Sequence, residues 1–292
     1  MQLYVGHQVG KAHALVTRVD PTRTTMIRRA YERDMVRRFK ALRSATKEAL
    51  TPYNFGERTN APKFSFPRSD DKVAAFSRWL NDQVNKGILE VQTGTPMSKA
   101  GQNSWQSKYI MSAYQRGIAM SAQSMRTAGI EVEDSFIEGA FFRPIHADRV
   151  GLIYTRTFND LQGVTQTMST QMSRVLAQGI AEGLSMEDIA DNVLDRVDSI
   201  GITRARTLVR TEVIAAHAEA TLNTYEEGEV LGVNVLSEFA TAGDNVVCPK
   251  CEELEGREYT VQEARGIIPV HPSCRCAWLP VVMTSDKKRI LR

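Results

Sequence analysis

Residues 248–276 read CPKCEELEGREYTVQEARGIIPVHPSCRC, and this one stretch holds all four cysteines of the chain together with a histidine. Cys248 and Cys251 flank Pro249 and Lys250. That spacing forms a tight knuckle in which backbone amides face the sulfurs and stabilise thiolates. His271 and Cys274 repeat the interval around Pro272 and Ser273. Two such pairs supply a tetrahedral Cys/His zinc site. Cys276 is a fifth candidate, because residues two apart on a strand point to one face. Four of the five suffice. The spacing favours Cys248, Cys251, His271 and Cys274, with Cys276 able to replace either member of the second pair.

Other chemistries fit the stretch less well. Four cysteines can form two disulfides, but nothing else in the chain points to an oxidising compartment. A catalytic Cys–His pair leaves two knuckles surplus to its needs. A closed four-ligand site has no open position for water, so the zinc expected here is a staple, and no catalytic residue is assigned. The staple has a physical reason. The piece from Val233 to Met283 is too small to hold a robust core unaided.

Around this stretch the pattern is that of a small α+β module. "VNVLSEFA" before it alternates and is rich in β-branched residues, a strand signature. Thr260 and Glu263 stand at capping-box spacing and predict a short helix. "CAWLPVVM" reads as a closing strand. The module is assigned to residues 231–283, and a basic tail to 284–292.

Upstream, the chain reads as long helices. Thr203 opens "TRARTLVRTEVIAAHAEATLNTYEEG", where Ala216 and Ala220 permit a close helix approach. Ser185 and Asp188 predict a capped start for "SMEDIADNVL". Val150, Tyr154, Phe158, Leu161, Met168, Met172 and Val175 make one helical stripe. These form a long-helix core at 148–230, preceded by a helical region at 71–147. The fold class expected is α+β: mainly long α-helices with a small C-terminal module stapled by zinc.

The first 50 residues form a basic helical segment. Ile27, Tyr31, Met35, Phe39 and Leu42 recur at helical steps. Arg23, Arg28, Arg29, Arg33, Arg37, Arg38, Lys40, Arg43 and Lys47 crowd its other faces. The chain's net charge is only +3 over 292 residues, so the positive surplus is local. It is read either as a solvated face or as a contact for DNA or an acidic partner. Residues 51–70, with three prolines, read as a linker or extended arm whose Tyr53, Phe55, Phe64 and Phe66 are candidate anchors on a partner. No signal peptide and no membrane-length apolar run is read.

Taken in order, these motifs resemble a known family. Arg210, Thr211 and Glu212 on a long helix, then Asp244, then Cys248, Cys251 and Gly256, then His271, Cys274, Arg275 and Cys276 before a closing strand are similar to the phage minor head proteins named after phage Mu protein F. The resemblance covers about Val150 to Pro280. It implies a minor capsid protein of head morphogenesis, located in the virion and associated with the portal oligomer. Major capsid or scaffold proteins are implied as further partners, with double-stranded DNA as a contact. It gives Arg210, Thr211, Glu212, Asp244, Gly256 and Arg275 as structural motif residues.

The competing reading is a zinc-supported HNH-like nuclease or other DNA-processing enzyme. That chemistry needs a general-base His beside a second metal held by further side chains. Here it would draw on His271, with Asp244 and Glu263 as the nearest carboxylates.

Overall fold

The computed structural model describes residues 8–11, 20–50, 72–90, 102–140, 143–230, 233–283 and 290–291. The arm read at 51–70, with Tyr53, Phe55, Phe64 and Phe66, lies outside the described residues, as do residues 284–289 of the tail. The elements are β1 (Gln8–Lys11), α1 (Thr25–Leu50), α2 (Lys72–Val84, continued by a π turn Asn85–Leu89), α3 (Ser107–Thr127), β2 (Glu131–Val132), α4 (Asp134–Ala140) and α5 (Pro144–Ala181). They continue with α6 (Met186–Arg196, then a π turn Val197–Ile202), α7 (Thr203–Val230), β3 (Asn234–Ala240), α8 (Pro249–Glu252), β4 (Glu258–Tyr259), α9 (Val261–Ala264), β5 (Ala277–Met283) and β6 (Ile290–Leu291). The α+β class, with long helices and a small C-terminal sheet, is therefore the one observed. No helix of the described residues is long and apolar enough to cross a membrane.

The chain folds as two compact units, each assembled from separated segments. One comprises Met1–Arg29, Gln106–Tyr154 and Val209–Arg292; the other comprises Ala30–Trp105 and Thr155–Leu208.

The first unit carries the sheet, in the order β1-β5-β3-β4. β3 and β5 run antiparallel from Asn234↔Met283 to Ala240↔Ala277. This register sets Phe239 opposite Trp278, and their rings meet edge to face at 5.6 Å. One continuous core joins the sheet to the helices. It includes Met125 of α3, Phe136 of α4, Ile214, Ala218, Leu222 and Tyr225 of α7, Phe239 and Trp278, and the thiols of Cys251, Cys274 and Cys276. The small module thus completes its core with α3 and α7. The close approach read at Ala220 is present: a Cβ added to Gly117 on α3 would lie 2.6 Å from Ala220 Cβ and 2.6 Å from the His217 carbonyl oxygen.

The N-terminal segment differs from the reading. Within the segment read as helical, Gln8–Lys11 instead forms β1 on the free edge of β5, and helix begins only at Thr25. In the tail, Ile290–Leu291 pairs in parallel with β2. Strand partners so distant in sequence leave no local pattern to read.

The second unit is helical. Along α1 the buried residues Tyr31, Met35, Phe39, Leu42, Thr46 and Leu50 recur every three or four positions, so one stripe enters the core. Gly201, in the π turn after α6, lies where an added Cβ would come within 2.6 Å of Phe39 and 2.8 Å of Met168. At the start of α6 the Ser185 hydroxyl accepts the Asp188 N–H at 3.1 Å. It also donates to the Asp188 carboxylate at 2.6 Å, so the return leg meets the cap's hydroxyl.

Candidate metal centre

Two loops build the cysteine cluster, both in the first unit. After β3, the Thr241 N–H donates to the Glu255 carboxylate at 2.7 Å, and Gly256 N–H donates to the Phe239 carbonyl at 2.9 Å. Gly256 has φ of 72°, a left-handed conformation that an L side chain would strain, and here it turns the chain back along β3. Between these points lies the first knuckle. Cys248 is the N-cap of α8, its Sγ accepting the Cys251 N–H at 3.4 Å, with Pro249 at the first helical position.

The second knuckle mirrors it. Cys274 N–H donates to the His271 carbonyl at 3.1 Å. Ser273 sits between them at φ of 63° and donates its N–H to Thr211 Oγ1 on α7 at 3.1 Å. Arg275 then reaches back to the first loop in a two-pronged pair with Asp244, at 2.6 and 2.7 Å. That pairing holds the Asp244 carboxyl below its ordinary range. Of the motif residues, Thr211 thus contacts the second knuckle, Arg275 and Asp244 join the two loops, and Gly256 lies in the turn after the first knuckle.

The five donors fall into two sets of three that share Cys251. Cys248, Cys251 and His271 have their donor atoms within 4.8 Å of one another, and so do Cys251, Cys274 and Cys276. All four cysteines are free thiols. The His271 Nε2 lies 3.3 Å from Cys251 Sγ. Its Nδ1 is 2.9 Å from the Pro272 carbonyl oxygen, which only accepts. The ring proton therefore belongs on Nδ1, and Nε2 offers its lone pair to the cluster.

Proton affinities in the cluster are pulled apart. The Cys251 N–H holds Cys248 below the usual thiol range. Burial pushes Cys251 up to about 12. The S–H of Cys276, directed at Cys274, holds Cys274 down at about 5 and leaves Cys276 well above its ordinary value. Buried sulfurs in contact cannot all ionise unless a cation takes the place of their protons.

The donor set fits a metal. Thiolate and imidazole ligands suit zinc, and ligands of one tetrahedral zinc lie roughly 3.5–4 Å apart. Within each set the donor atoms lie no more than 4.8 Å apart. Cys274 groups with Cys276 rather than within the set containing His271, so spacing in the sequence ranked the fifth donor lower than the geometry does.

The carboxylates available to a nuclease are engaged elsewhere. Asp244 is held by Arg275. Glu263 closes the capping box of α9, accepting the Thr260 N–H at 3.0 Å while its own N–H donates to Thr260 Oγ1 at 3.3 Å. Arg210 and Glu212 diverge on α7, the first exposed and the second buried.

On α1 the basic residues divide. Arg28 pairs with Asp20 at 3.3 Å, and Arg43 with Asp198 at 3.0 Å. Arg38 lies 4.0 Å over the Trp105 ring and bonds the Gly87 carbonyl oxygen and Glu90. Arg29, Arg33, Arg37, Lys40 and Lys47 are exposed, as is Arg23 just before the helix, and Arg37 also pairs with Asp34. Sequence reasoning missed a clamp on α7. Arg265, just after α9, bonds Glu219 at 3.0 Å, Asn223 at 2.9 Å, and Glu226. Those acceptors recur at helical steps of four and three, which is the only signal the sequence offers.

Residues 170–279 match the family model described as Phage Mu protein F like protein. The match takes in the end of α5, all of α6 and α7, and the metal loops, so the resemblance read from the motifs is borne out over that stretch. It points to a phage head protein. No curated protein and no solved structure matches the chain.

Proposed function

We propose that this protein is a non-enzymatic minor head protein of a tailed phage, which docks at the portal vertex during head assembly. The observation that carries the reading is the family match across residues 170–279, which encloses the whole metal cluster. The cluster supports a structural role: its donors gather in two sets around the buried Cys251, and Asp244 and Glu263 are spent on structure. When bound, zinc would crosslink the loop after β3 to the loop before β5. Cys248, Cys251, His271, Cys274 and Cys276 supply the donors, while Thr211 and the Arg275–Asp244 pair hold the two knuckles to α7 and to each other.

The exposed cations of α1 are the contact for double-stranded DNA in this reading. Arg33, Arg37, Lys40 and Lys47 follow one another at helical steps and are all exposed.

Co-expression with the portal protein of the same phage, followed by size-exclusion and mass measurement, tests the proposal. A stable complex of portal and this chain is expected. Failure to associate with portal or procapsid, combined with magnesium- or manganese-dependent cutting of plasmid DNA that His271→Ala abolishes without unfolding, would replace it with the nuclease reading.

A further inference from the structure

The five donors of the cluster are not equivalent. Cys251, Cys274 and Cys276 are only 2%, 1% and 3% exposed, and their sulfurs form one set within 4.8 Å. Cys248 and His271 lie toward solvent and form the other set, again with Cys251. We infer that the metal ion is seated on the buried three-sulfur face of Cys251, Cys274 and Cys276, and that Cys248 and His271 share the remaining position as exchangeable ligands. The inference rests on the metal reading above. It makes Cys276, a substitute by sequence spacing, an indispensable ligand.

Three features support it. Cys276 immediately precedes β5, which pairs with β3 along its full seven residues, so its backbone is fixed by the sheet. Cys251 is fixed by α8, where its N–H is bound to the Cys248 sulfur. Cys248 and His271 both adjoin Cys251: one sulfur accepts its N–H at 3.4 Å, and the ring Nε2 lies 3.3 Å from its Sγ. Each adjoins Cys251, the donor that both sets share, so each stands next to the buried face as a source of the fourth ligand, and five donors for four positions leave one unbound. A face of three thiolates selects soft, thiophilic ions, which places zinc and cadmium in the class it takes and excludes magnesium and calcium.

The test uses the full chain expressed with zinc, and single variants His271→Ala, Cys248→Ser and Cys276→Ser. Metal content is measured by elemental analysis and helix content by circular dichroism. His271→Ala and Cys248→Ser should each keep about one zinc per chain, and X-ray absorption of His271→Ala should report sulfur ligands only. Cys276→Ser should lose stoichiometric zinc. Should that variant fail to fold, alkylation of the wild-type chain gives the same answer: Cys276 should be protected while zinc is bound and labelled after chelation. Zinc retained by Cys276→Ser, zinc lost from either outer variant, or a Cys276 alkylated equally fast with and without metal would overturn the inference. A wild-type chain that binds no zinc would instead remove the metal reading itself, and this inference with it.

Discussion

His217 lies inside the first unit on α7, 2% exposed, and neither ring nitrogen has a hydrogen-bond partner among the described residues. Burial lowers its pKa to about 4, with the charge of Asp20 opposing and that of Arg116 assisting. The fold therefore favours the neutral ring. Its contribution is complete above the ordinary histidine range near 6.5 and is lost as pH falls through about 4. Replacing it with Leu should flatten this dependence. The urea-unfolding stability of wild type relative to His217→Leu should fall by about 3 kcal/mol between pH 7 and pH 4. An unchanged difference would show that the ring is not held neutral. Gly117 offers a second residue-scale test. Its Cβ position is blocked at 2.6 Å by the His217 carbonyl oxygen and by Ala220. Gly117→Ala should force α3 from α7 and cost about 1–3 kcal/mol in a denaturation series. Ala220 was legible in the sequence as a close-approach position. Gly117 was not, because its partner is about a hundred residues away.

At the scale of elements, the helices announced themselves through apolar residues at three- and four-residue steps, as along α1 from Tyr31 to Leu42. The α9 capping box was equally legible, since Thr260 and Glu263 act on each other within one turn. The fate of the α1 cations was not. Charge is visible in sequence, but a partner such as Asp198 for Arg43 is a tertiary fact. The division among these cations carries a prediction. Converting Arg33, Arg37, Lys40 and Lys47 to Gln should lower the salt slope of DNA binding by roughly 3–4 units, with little dependence on DNA sequence. The same change at Arg28, Arg38 and Arg43 should alter stability more than the slope, because those groups are spent on Asp20, Glu90, Trp105 and Asp198. Equal slopes for the two sets would remove α1 as the contact.

For the whole molecule, the donor list of the metal centre was legible because its five residues lie within 29 positions, from Cys248 to Cys276. Its grouping was not, since Cys276 joins Cys251 and Cys274 only once β3 and β5 are paired. Nor did any local signal reveal that Gln8–Lys11 joins the same sheet, or that segments around residues 1–29, 106–154 and 209–292 gather into one unit. The buried thiols belong to the core that also holds Tyr225, Phe239 and Trp278, so metal and packing stabilise one body. The direct measurement is native mass spectrometry of the chain purified without added metal, followed by chelation and a second unfolding curve. One zinc per chain is expected, with a stability that falls by several kcal/mol when the zinc is removed. A metal-free chain with four freely titrating thiols and an unfolding curve indifferent to chelator would contradict that expectation.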